Sequence, residues 1–494
     1  MSDLPSEDAL TLDRTVVQGG YCIGCGVCAS VPDSPFTIGD DGKGQYVAQL
    51  SKPGGADGLQ AVCPFSQKAA SEDELGRALF PTGTADPHLG FHQAAYTGYV
   101  AEGTFRERGS SGGVGKWALA EMLRTGLVDR VIQVAATAGP GRDEVLDSPT
   151  GDELYRFELF DDADAVLEQG SRSVYYPVEL SGALAYVREH PGRYAVTAVP
   201  CFAKALRLLI RQDAVLRERV RFVVGLVCGH LKSDRYAELI GWQLGVPPGE
   251  LGALDFRRKL PGAHANHKGV AASYRDASKP DPEPDIVQNL YGTNYNHGFF
   301  QYAACDFCDD VLAETADLSV GDAWLPEFLK DGRGTCIVVV RNPVLHDMVE
   351  AARREGRLAL DVAAPDRIAA SQVGGFRQRR EGLSYRLHLT DRAGQWRPPK
   401  RVAPSRLPLK PKRRAIYELR IELTKRSHAA YARARALADL DVMKREMAPL
   451  LDAYAALYKP TFFHRVRRGL ERRGERMGRR AVAAFRTVFP STPR

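Results

Sequence analysis

Short apolar runs alternate with amphipathic stretches through the middle of the chain. Runs rich in β-branched residues predict buried strands over residues 95–101, 128–135, 194–199, 221–227 and 336–340. Apolar residues at helical spacing predict helices over residues 114–125, 202–212 and 343–355. Strands that alternate with helices are typical of an α/β fold. We therefore predict an α/β domain with a mixed sheet over residues 94–390.

The segments on either side of this domain have different patterns. Two short β-type runs around a Gly/Asp turn in residues 36–48 predict a hairpin within a small ferredoxin-like α+β module, residues 1–80. Residues 1–20 are expected to be loosely attached, and residues 81–93 to form a linker. Residues 391–494 are predicted to form a helical extension, with a proline-rich basic linker and helical stretches over 412–458 and 461–489.

Charge is divided unequally between the extension and the rest. Residues 391–494 hold 27 Lys and Arg against 9 Asp and Glu, a net charge of +18. The first 390 residues hold 40 against 52, a net charge of −12. We expect the extension to pack on the acidic body, with peripheral membrane contact through its last basic helix as the alternative. Nucleic acid is not expected as a partner, because the Arg runs contain no recognition motif.

The cysteine content and the lengths of the apolar runs indicate the cellular location of the protein. No apolar run reaches the length of a membrane span, and the first residues lack the apolar core of a signal peptide. Nine cysteines in such a chain are typical of reduced thiols or metal ligands rather than disulfides. We therefore expect a cytoplasmic protein.

Four of these cysteines have the spacing of an iron–sulfur site. Cys22, Cys25 and Cys28 form a C-x2-C-x2-C motif, and Cys63 is followed by proline. This first cysteine set predicts a [4Fe–4S] cluster, since zinc sites usually come as two separated C-x2-C pairs. Gly24 and Gly26 suit a backbone that folds tightly around a cluster and directs N–H groups to its sulfurs. Structural zinc and reduced core cysteines are the alternatives.

Four more cysteines could form a second site. Cys201 and Cys228 follow predicted strands, whose carboxyl ends are where ligands gather in an α/β sheet, and Cys305 and Cys308 form a C-x2-C pair. From spacing alone, zinc or unpaired core cysteines explain this second cysteine set equally well. The ninth cysteine, Cys336, begins an apolar strand and is predicted to be a small buried side chain.

Several short motifs occur in a defined order between about residues 20 and 345. They are Gly109-Ser-Ser-Gly-Gly-Val114, Gly170-Ser-Arg-Ser-Val-Tyr175, Ala198-Val-Pro-Cys201, Gly225-Leu-Val-Cys228, Cys305-Asp-Phe-Cys308 and Ala316-Asp-Leu-Ser-Val-Gly-Asp-Ala-Trp324. In this order the chain resembles the beta subunits of coenzyme F420-reducing hydrogenases and F420-linked dehydrogenases, a family that includes 7-hydroxymethyl chlorophyll a reductase. Relatives commonly have Gly-Thr-Pro-Cys-Gln at 198–202 and Gly-Ser-Lys-Tyr at 170–173, so the substrate stays open.

The resemblance implies a flavin, FAD or FMN, and a [4Fe–4S] cluster held by the second cysteine set. It implies that the flavin phosphates lie in a cradle formed by Ser110, Ser111, Gly112 and Gly113 at the start of a helix. Without the resemblance, this loop would be a Gly/Ser turn that caps a helix. Ser171 and Arg172 are candidates for a second polar contact, with an exposed loop as the alternative.

Two residues near the second cysteine set are candidate catalytic groups. His230, two residues after Cys228, is a candidate proton donor, although a hydrogen-bonded loop histidine has the same pattern. Lys204, within two turns of Cys201, could stabilise a reduced cofactor or bind an acidic substrate. The alternative for Lys204 is a solvated helix face.

Together these features predict an iron–sulfur flavoprotein oxidoreductase. Electrons would pass between ferredoxin, another one-electron donor or coenzyme F420 and a small organic substrate, through two [4Fe–4S] clusters and a flavin. One alternative is a non-catalytic electron-transfer adaptor subunit of a larger redox complex. Another is a binding protein stabilised by zinc.

Overall fold

The computed structural model of the protein describes residues 5–138, 146–147, 149, 151–407 and 409–459. Strands in these residues are β1 Phe36–Asp40, β2 Tyr46–Leu50, β3 Thr84–Asp86, β4 Gly90–His92, β5 Ala94–Val100, β6 Arg130–Ala136, β7 Tyr155–Phe160, β8 Tyr194–Ala198, β9 Val220–Leu226, β10 Leu251–Arg258, β11 Gly269–Tyr274, β12 Asp285–Ile286, β13 Leu318–Asp322, β14 Cys336–Val340 and β15 Leu358–Val362.

The helices connect these strands and extend beyond them. They are α1 Glu7–Leu12, α2 Leu59–Val62, α3 Glu72–Leu79, α4 Phe105–Arg108, α5 Val114–Arg124, α6 Ala163–Gln169, α7 Ser181–Glu189, α8 Pro200–Gln212, α9 Ala214–Arg219, α10 Arg235–Gln243, α11 Pro343–Arg354, α12 Pro365–Ser371, α13 Val373–Arg377, α14 Leu383–Arg392, α15 Pro411–Ala436 and α16 Leu440–Ala456. Short 3-10 turns cover Val287–Asn289, Tyr295–His297, Ala303–Phe307 and Pro326–Phe328, and π-helical turns cover Asp13–Val17 and Gln378–Gly382.

A mixed sheet of eight strands lies at the centre, in the order β15-β5-β14-β13-β9-β8-β6-β7. The four strands from β13 to β6 are mutually parallel, and the pairings on either side are antiparallel. Strands β8 and β14 are buried along their whole length, as expected where helices cover both faces of a sheet. The predicted α/β domain with a mixed sheet is confirmed.

One edge of this sheet gathers chemically active residues. The parallel strands β8 and β9 end at the same edge, so that Cys201 and Cys228 both follow it. Asp322 ends β13 beside them, and antiparallel β14 pairs its first residue, Cys336, directly with Asp322. The topology therefore brings residues that are distant in sequence to one edge.

The predicted hairpin near the N-terminus is confirmed, since β1 and β2 pair antiparallel from Phe36 and Leu50 onward. Two other predictions were wrong. Residues 1–20 are not loosely attached where the structure describes them, because Ala9, Leu12 and Val16 are at most 1% exposed within one apolar core shared with α7 and α8. Residues 81–93 are not a plain linker, because β3 and β4 form a hairpin there.

The described part of the C-terminal extension packs on the body. Tyr431 of α15 and Met447 of α16 belong to one apolar cluster with Phe299 and Phe300. The helical stretch predicted over 412–458 is interrupted at Ala438, which has a φ of +50° and separates α15 from α16. The second stretch, 461–489, lies outside the described residues, so membrane contact through it stays a prediction.

None of the helices within the described ranges combines the length and the apolar character needed to cross a membrane.

Candidate functional site

The first cysteine set comes together around a loop and a helix end. Cys22, Cys25 and Cys28 lie in the loop after the first π-helical turn, and Cys63 ends α2. Burial raises the pKa of the Cys28 thiol, and the nearby Cys25, Cys22 and Cys63 raise it further. Burial also raises the pKa of Cys63 to about 12, with a further contribution from Cys22. The four thiols therefore lie close enough to influence one another's ionisation.

Two glycines shape this loop as the sequence predicted. Gly24 and Gly26 have φ of +63° and +80°, in the left-handed region. A Cβ on Gly24 would lie 2.2 Å from the Tyr46 carbonyl oxygen, and one on Gly26 would lie 2.1 Å from Glu179 Oε2. The amides of Gly24 and Ala48 donate to Cys22 Sγ at 3.5 and 3.3 Å, which favours a thiolate there.

The second cysteine set also comes together, beside the first. Burial raises the pKa of Cys201, and Cys308, Cys228 and Cys305 raise it further. Cys25 of the first set contributes to the same shift, which places the two sets next to each other. The amide of Leu231 donates to Cys305 Sγ at 3.2 Å.

A cation lies against the second set. Arg379 is 2% exposed and donates to the Gly229 carbonyl at 2.5 Å. Although burial alone would lower it, the pKa of Arg379 is raised because Cys308 and Cys228 are close. A fixed guanidinium here compensates negative charge on thiolate ligands.

The thiols of the two cysteine sets suit a cluster better than a single metal ion. Within the described ranges, no group of three Cys, His, Asp or Glu side chains is placed to hold one metal ion. A four-iron cluster is larger than a single ion, so its four thiolates stand farther apart. Two sets of four buried or partly buried thiols, with backbone N–H donors and a cation beside them, fit that larger group.

A cavity of about 750 Å³ opens beside the second cysteine set. It lies at the carboxyl edge of the sheet, where Cys228 and Asp322 line it, and it extends to the start of α5. A volume of this size is in the range of cofactor and substrate sites. Ser110, Ser111 and Gly113 of the Gly/Ser loop and the candidate proton donor His230 line this same cavity.

The start of α5 forms the positively charged end of the cavity. Ser110, Ser111 and Gly113 line it, and Gly113 is the N-cap with a φ of +86°. The Ser110 hydroxyl accepts from the Ser173 amide at 2.6 Å, and Ser111 donates to the Thr335 carbonyl at 2.8 Å. Free amide groups at a helix start favour an anion. This arrangement suits a phosphate.

Lys116, Ser171 and Arg172 complete the positively charged end of the cavity. Lys116 lines the cavity from the first turn of α5, and burial together with Arg172 lowers its pKa to about 8. Ser171 and Arg172 line the cavity as well, with Arg172 held at 2.8 Å by Asp255. Gly112 does not line it, because this glycine packs against Gly98 and a Cβ there would lie 2.6 Å from the Gly98 carbonyl oxygen.

His230 lies in the cavity wall, 8% exposed, with its ring stacked 3.8 Å from that of Tyr295. Burial lowers the pKa of His230 well below its ordinary value, and Lys232 lowers it further. The imidazole is therefore neutral near pH 7. Its buried Nε2 makes no hydrogen bond to any residue of the described ranges.

Lys204 is placed differently from what the sequence suggested. It does not line the cavity, and its ammonium lies 3.1 Å from Glu72 in a buried ion pair. Burial lowers its pKa, but Glu72 and Asp309 more than offset this, so that the pKa of Lys204 is raised. Lys204 in turn lowers the pKa of Cys63. The structure thus places Lys204 beside the first cysteine set, neither at the cavity nor on a solvated helix face.

Several charged residues of the cavity carried no recognisable signal in the sequence. Arg257 makes a two-fold contact with Asp322 at 2.7 and 2.9 Å, and Lys268 and Arg379 line the same cavity. Asp322 lies within the motif that ends at Trp324, but the motif alone does not indicate a partner for its carboxylate. The others lie in stretches without a motif, and only the packing of β10, the start of β11 and the π-helical turn after α13 brings them to the cavity.

Comparisons with known proteins agree with the motif order. Residues 95–185 match the family model described as coenzyme F420 hydrogenase/dehydrogenase, beta subunit N-term, and residues 192–366 match that of its C terminus. These 91 and 175 residues exceed half of the 494-residue chain.

The chain is also similar to a solved structure. Among solved structures, a chain from the xenon-derivatised F420-reducing [NiFe] hydrogenase complex of Methanosarcina barkeri matches with a TM-score of 0.42 and 15% identity. The match covers 60% of this chain and 92% of that chain. No curated protein matches the sequence.

Proposed function

The chain belongs to the coenzyme F420 hydrogenase/dehydrogenase beta-subunit family, and from this premise we propose that it is an iron–sulfur flavoprotein oxidoreductase. It would transfer electrons between ferredoxin, another one-electron donor or coenzyme F420 and a small organic substrate. The strongest support is that the two cysteine sets lie next to each other and that Cys228 of the second set lines the cavity. The cytoplasmic location of the protein stays a prediction.

Each cysteine set would hold one [4Fe–4S] cluster, and the cavity would hold a flavin. When bound, the clusters supply single electrons, and the flavin exchanges single electrons for a hydride. The chain itself stabilises the thiolates, through amide donors to Cys22 and Cys305 and through the guanidinium of Arg379. Partial burial of both sets limits access of water to the sulfurs.

The flavin phosphates would bind at the start of α5. Ser110, Ser111, Gly113 and Ser171 offer polar groups there, and Lys116 and Arg172 add positive charge. Gly112 contributes by allowing the loop to pack closely on β5, where any side chain would collide with backbone. The whole arrangement orients a bound phosphate with respect to the sheet edge.

Proton transfer is the role that the cavity supports for His230. A neutral imidazole accepts a proton at an unprotonated nitrogen and donates one from a protonated nitrogen. Its unpartnered Nε2 is available to a ligand in the cavity, and stacking on Tyr295 fixes the ring. Lys204 would act on the first cysteine set through its charge and would not transfer a proton to the substrate.

Anaerobic purification followed by iron, sulfide, zinc and flavin analysis tests the proposal. We expect about eight irons with matching sulfide per chain, as two [4Fe–4S] clusters require, and one flavin. Stoichiometric zinc in a colourless protein would contradict it and favour the zinc-stabilised binding protein.

Turnover then separates the enzyme from the adaptor subunit. The purified chain would be reduced with ferredoxin or with F420H2 and offered a panel of small organic hydride acceptors. Acceptor-dependent reoxidation supports an enzyme. A protein that is reduced by light but passes electrons only to other redox proteins would be the adaptor subunit. The adaptor is the second candidate, because the family models describe beta subunits.

A further inference from the structure

Lys268 is a buried cation without a hydrogen-bond partner. It lines the cavity just before β11 and is only 5% exposed. Its Nζ makes no hydrogen bond to any residue that the structure describes. Burial lowers the pKa of Lys268 to about 8, so the ammonium is still largely charged at neutral pH. Such a group is costly to bury unless a ligand satisfies it.

The neighbouring cations are already satisfied within the protein. Two arginines near Lys268 each have a carboxylate, in the pairs Arg172–Asp255 at 2.8 Å and Arg257–Asp322 at 2.7 Å. Lys259 donates to the Ser111 carbonyl at 2.6 Å. The thiol of Cys336 does not balance Lys268, because burial raises its pKa. Asp322 also lies near Lys268, but it already makes a two-fold contact with Arg257, so two cations share one carboxylate in this part of the described chain.

An apolar surface lies in the same cavity. Trp324, directly beyond the Asp322 end of β13, is 38% exposed, and the guanidinium of Arg257 lies 5.9 Å from its ring. Leu226 at the end of β9 is 37% exposed and also lines the cavity. An exposed aromatic ring next to a guanidinium, in the same cavity as Lys268, suits a flat apolar group that carries an anionic substituent.

We propose that Lys268 binds the carboxylate or phosphate of the organic substrate, while the planar apolar part of the substrate lies against Trp324. This site adjoins the residues assigned above to the flavin phosphates, because Arg172 lies near Lys268. The identification of its ligand as the redox substrate rests on the proposed function, whereas the binding site itself rests only on the residues described here.

Calorimetric titration of the anaerobically purified full chain tests the site without turnover. The probes are benzoate, which combines a flat ring with a carboxylate, inorganic phosphate, and benzyl alcohol as the neutral analogue. We expect saturable binding of benzoate and much weaker binding of benzyl alcohol. Lys268→Gln should weaken benzoate binding at least tenfold, and Trp324→Ala should weaken benzoate but leave phosphate unchanged.

Lys279→Gln is the matched control, because Lys279 follows the same strand but is exposed and paired with Glu250. It should bind benzoate like the wild type. Flavin content is measured for every variant. Loss of flavin in Lys268→Gln would assign Lys268 to the flavin site and overturn the proposal.

Two other results would also overturn it, namely unchanged benzoate affinity in Lys268→Gln and absence of benzoate binding in the wild type. Failure of the proposed function shows separately, as a wild-type protein without iron and flavin.

Discussion

The hydroxyl of Tyr21 donates a hydrogen bond of 2.9 Å to the carbonyl oxygen of Trp396, across 375 residues of sequence. The two rings meet edge to face at 5.4 Å, and Phe307 packs against the other side of Tyr21 at 4.8 Å. Tyr21 precedes Cys22, and Phe307 precedes Cys308. Residues 395–402, which we call the crossing segment, therefore run beside both cysteine sets.

Arg401 of the crossing segment should contribute strongly to stability. It contacts Glu314 at 2.7 Å and lies 3.5 Å from Asp309 and Glu72, whose side chains are at most 5% exposed. Arg401→Met would leave buried carboxylates short of a cation, at a cost of about 3–5 kcal/mol. Urea unfolding measures the loss. Arg433→Met, which removes an exposed pair with Glu446, is the control and should leave stability unchanged; equal effects of both substitutions would contradict the prediction.

Cys25→Ala should remove one cluster and spare the flavin. Iron should fall from about eight to about four atoms per chain, while flavin content stays at one, because the residues proposed for the flavin phosphates lie at the start of α5 and not in the loop of the first cysteine set. Reduction by ferredoxin should be lost. Cys336→Ala is the matched control, a buried thiol outside both sets, and should keep all iron. Loss of flavin in Cys25→Ala would show that the two parts are not separable.

Gly26 should tolerate no side chain. Gly26 and Gly20 have φ of +80° and +78°, so alanine costs a similar backbone strain of about 1–2 kcal/mol at both positions. Only at Gly26 would the new Cβ collide, 2.1 Å from Glu179 Oε2, whereas at Gly20 no atom lies within 4 Å. Gly26→Ala should therefore lose iron from the first set, and Gly20→Ala should not. Iron analysis of both variants decides, and equal iron contents would refute the steric argument.

Lys204→Met should change a reduction potential and not the substrate kinetics. The positive charge of Lys204 lowers the pKa of Cys63, so it stabilises negative charge at the first set. Its loss should shift one cluster potential to more negative values, on the order of tens of millivolts. Glu72 keeps a cation, since Arg401 lies 3.5 Å away. Anaerobic redox titration measures the shift, with exposed Arg211→Met as the control. A raised KM for the acceptor with unchanged potentials would favour a substrate contact instead.

His428 should make the folded protein less stable in acid. Burial lowers its pKa to about 4, below the ordinary value of 6.5. Between pH 6.5 and 4 the unfolded chain binds a proton that the folded chain does not, so the free energy of unfolding falls as the pH falls. Over this range the contribution reaches about 3 kcal/mol. His428→Leu should flatten this dependence, measured by urea unfolding from pH 7 to pH 4. His267→Leu at an exposed position should not.

The sequence by itself determined the elements and the donors. Strand β14 and helix α11 follow from an uninterrupted apolar run and from helical spacing, because these patterns depend only on neighbouring residues. The first cysteine set was visible for the same reason, since its spacing within one loop carries the information. The basic composition of the extension also indicated a separate element, and its packing on the acidic body agrees with that.

The tertiary structure alone decided which distant residues share a site. Lys204 and His230 had similar patterns beside a cysteine, yet one lies in a buried ion pair and the other in the cavity wall. No sequence motif marks Lys268 or Arg257, because the role of each depends on which groups have partners after folding. Parallel strands that end at one edge bring Cys201, Cys228 and Asp322 together, and this juxtaposition depends on strand order, which local sequence does not encode.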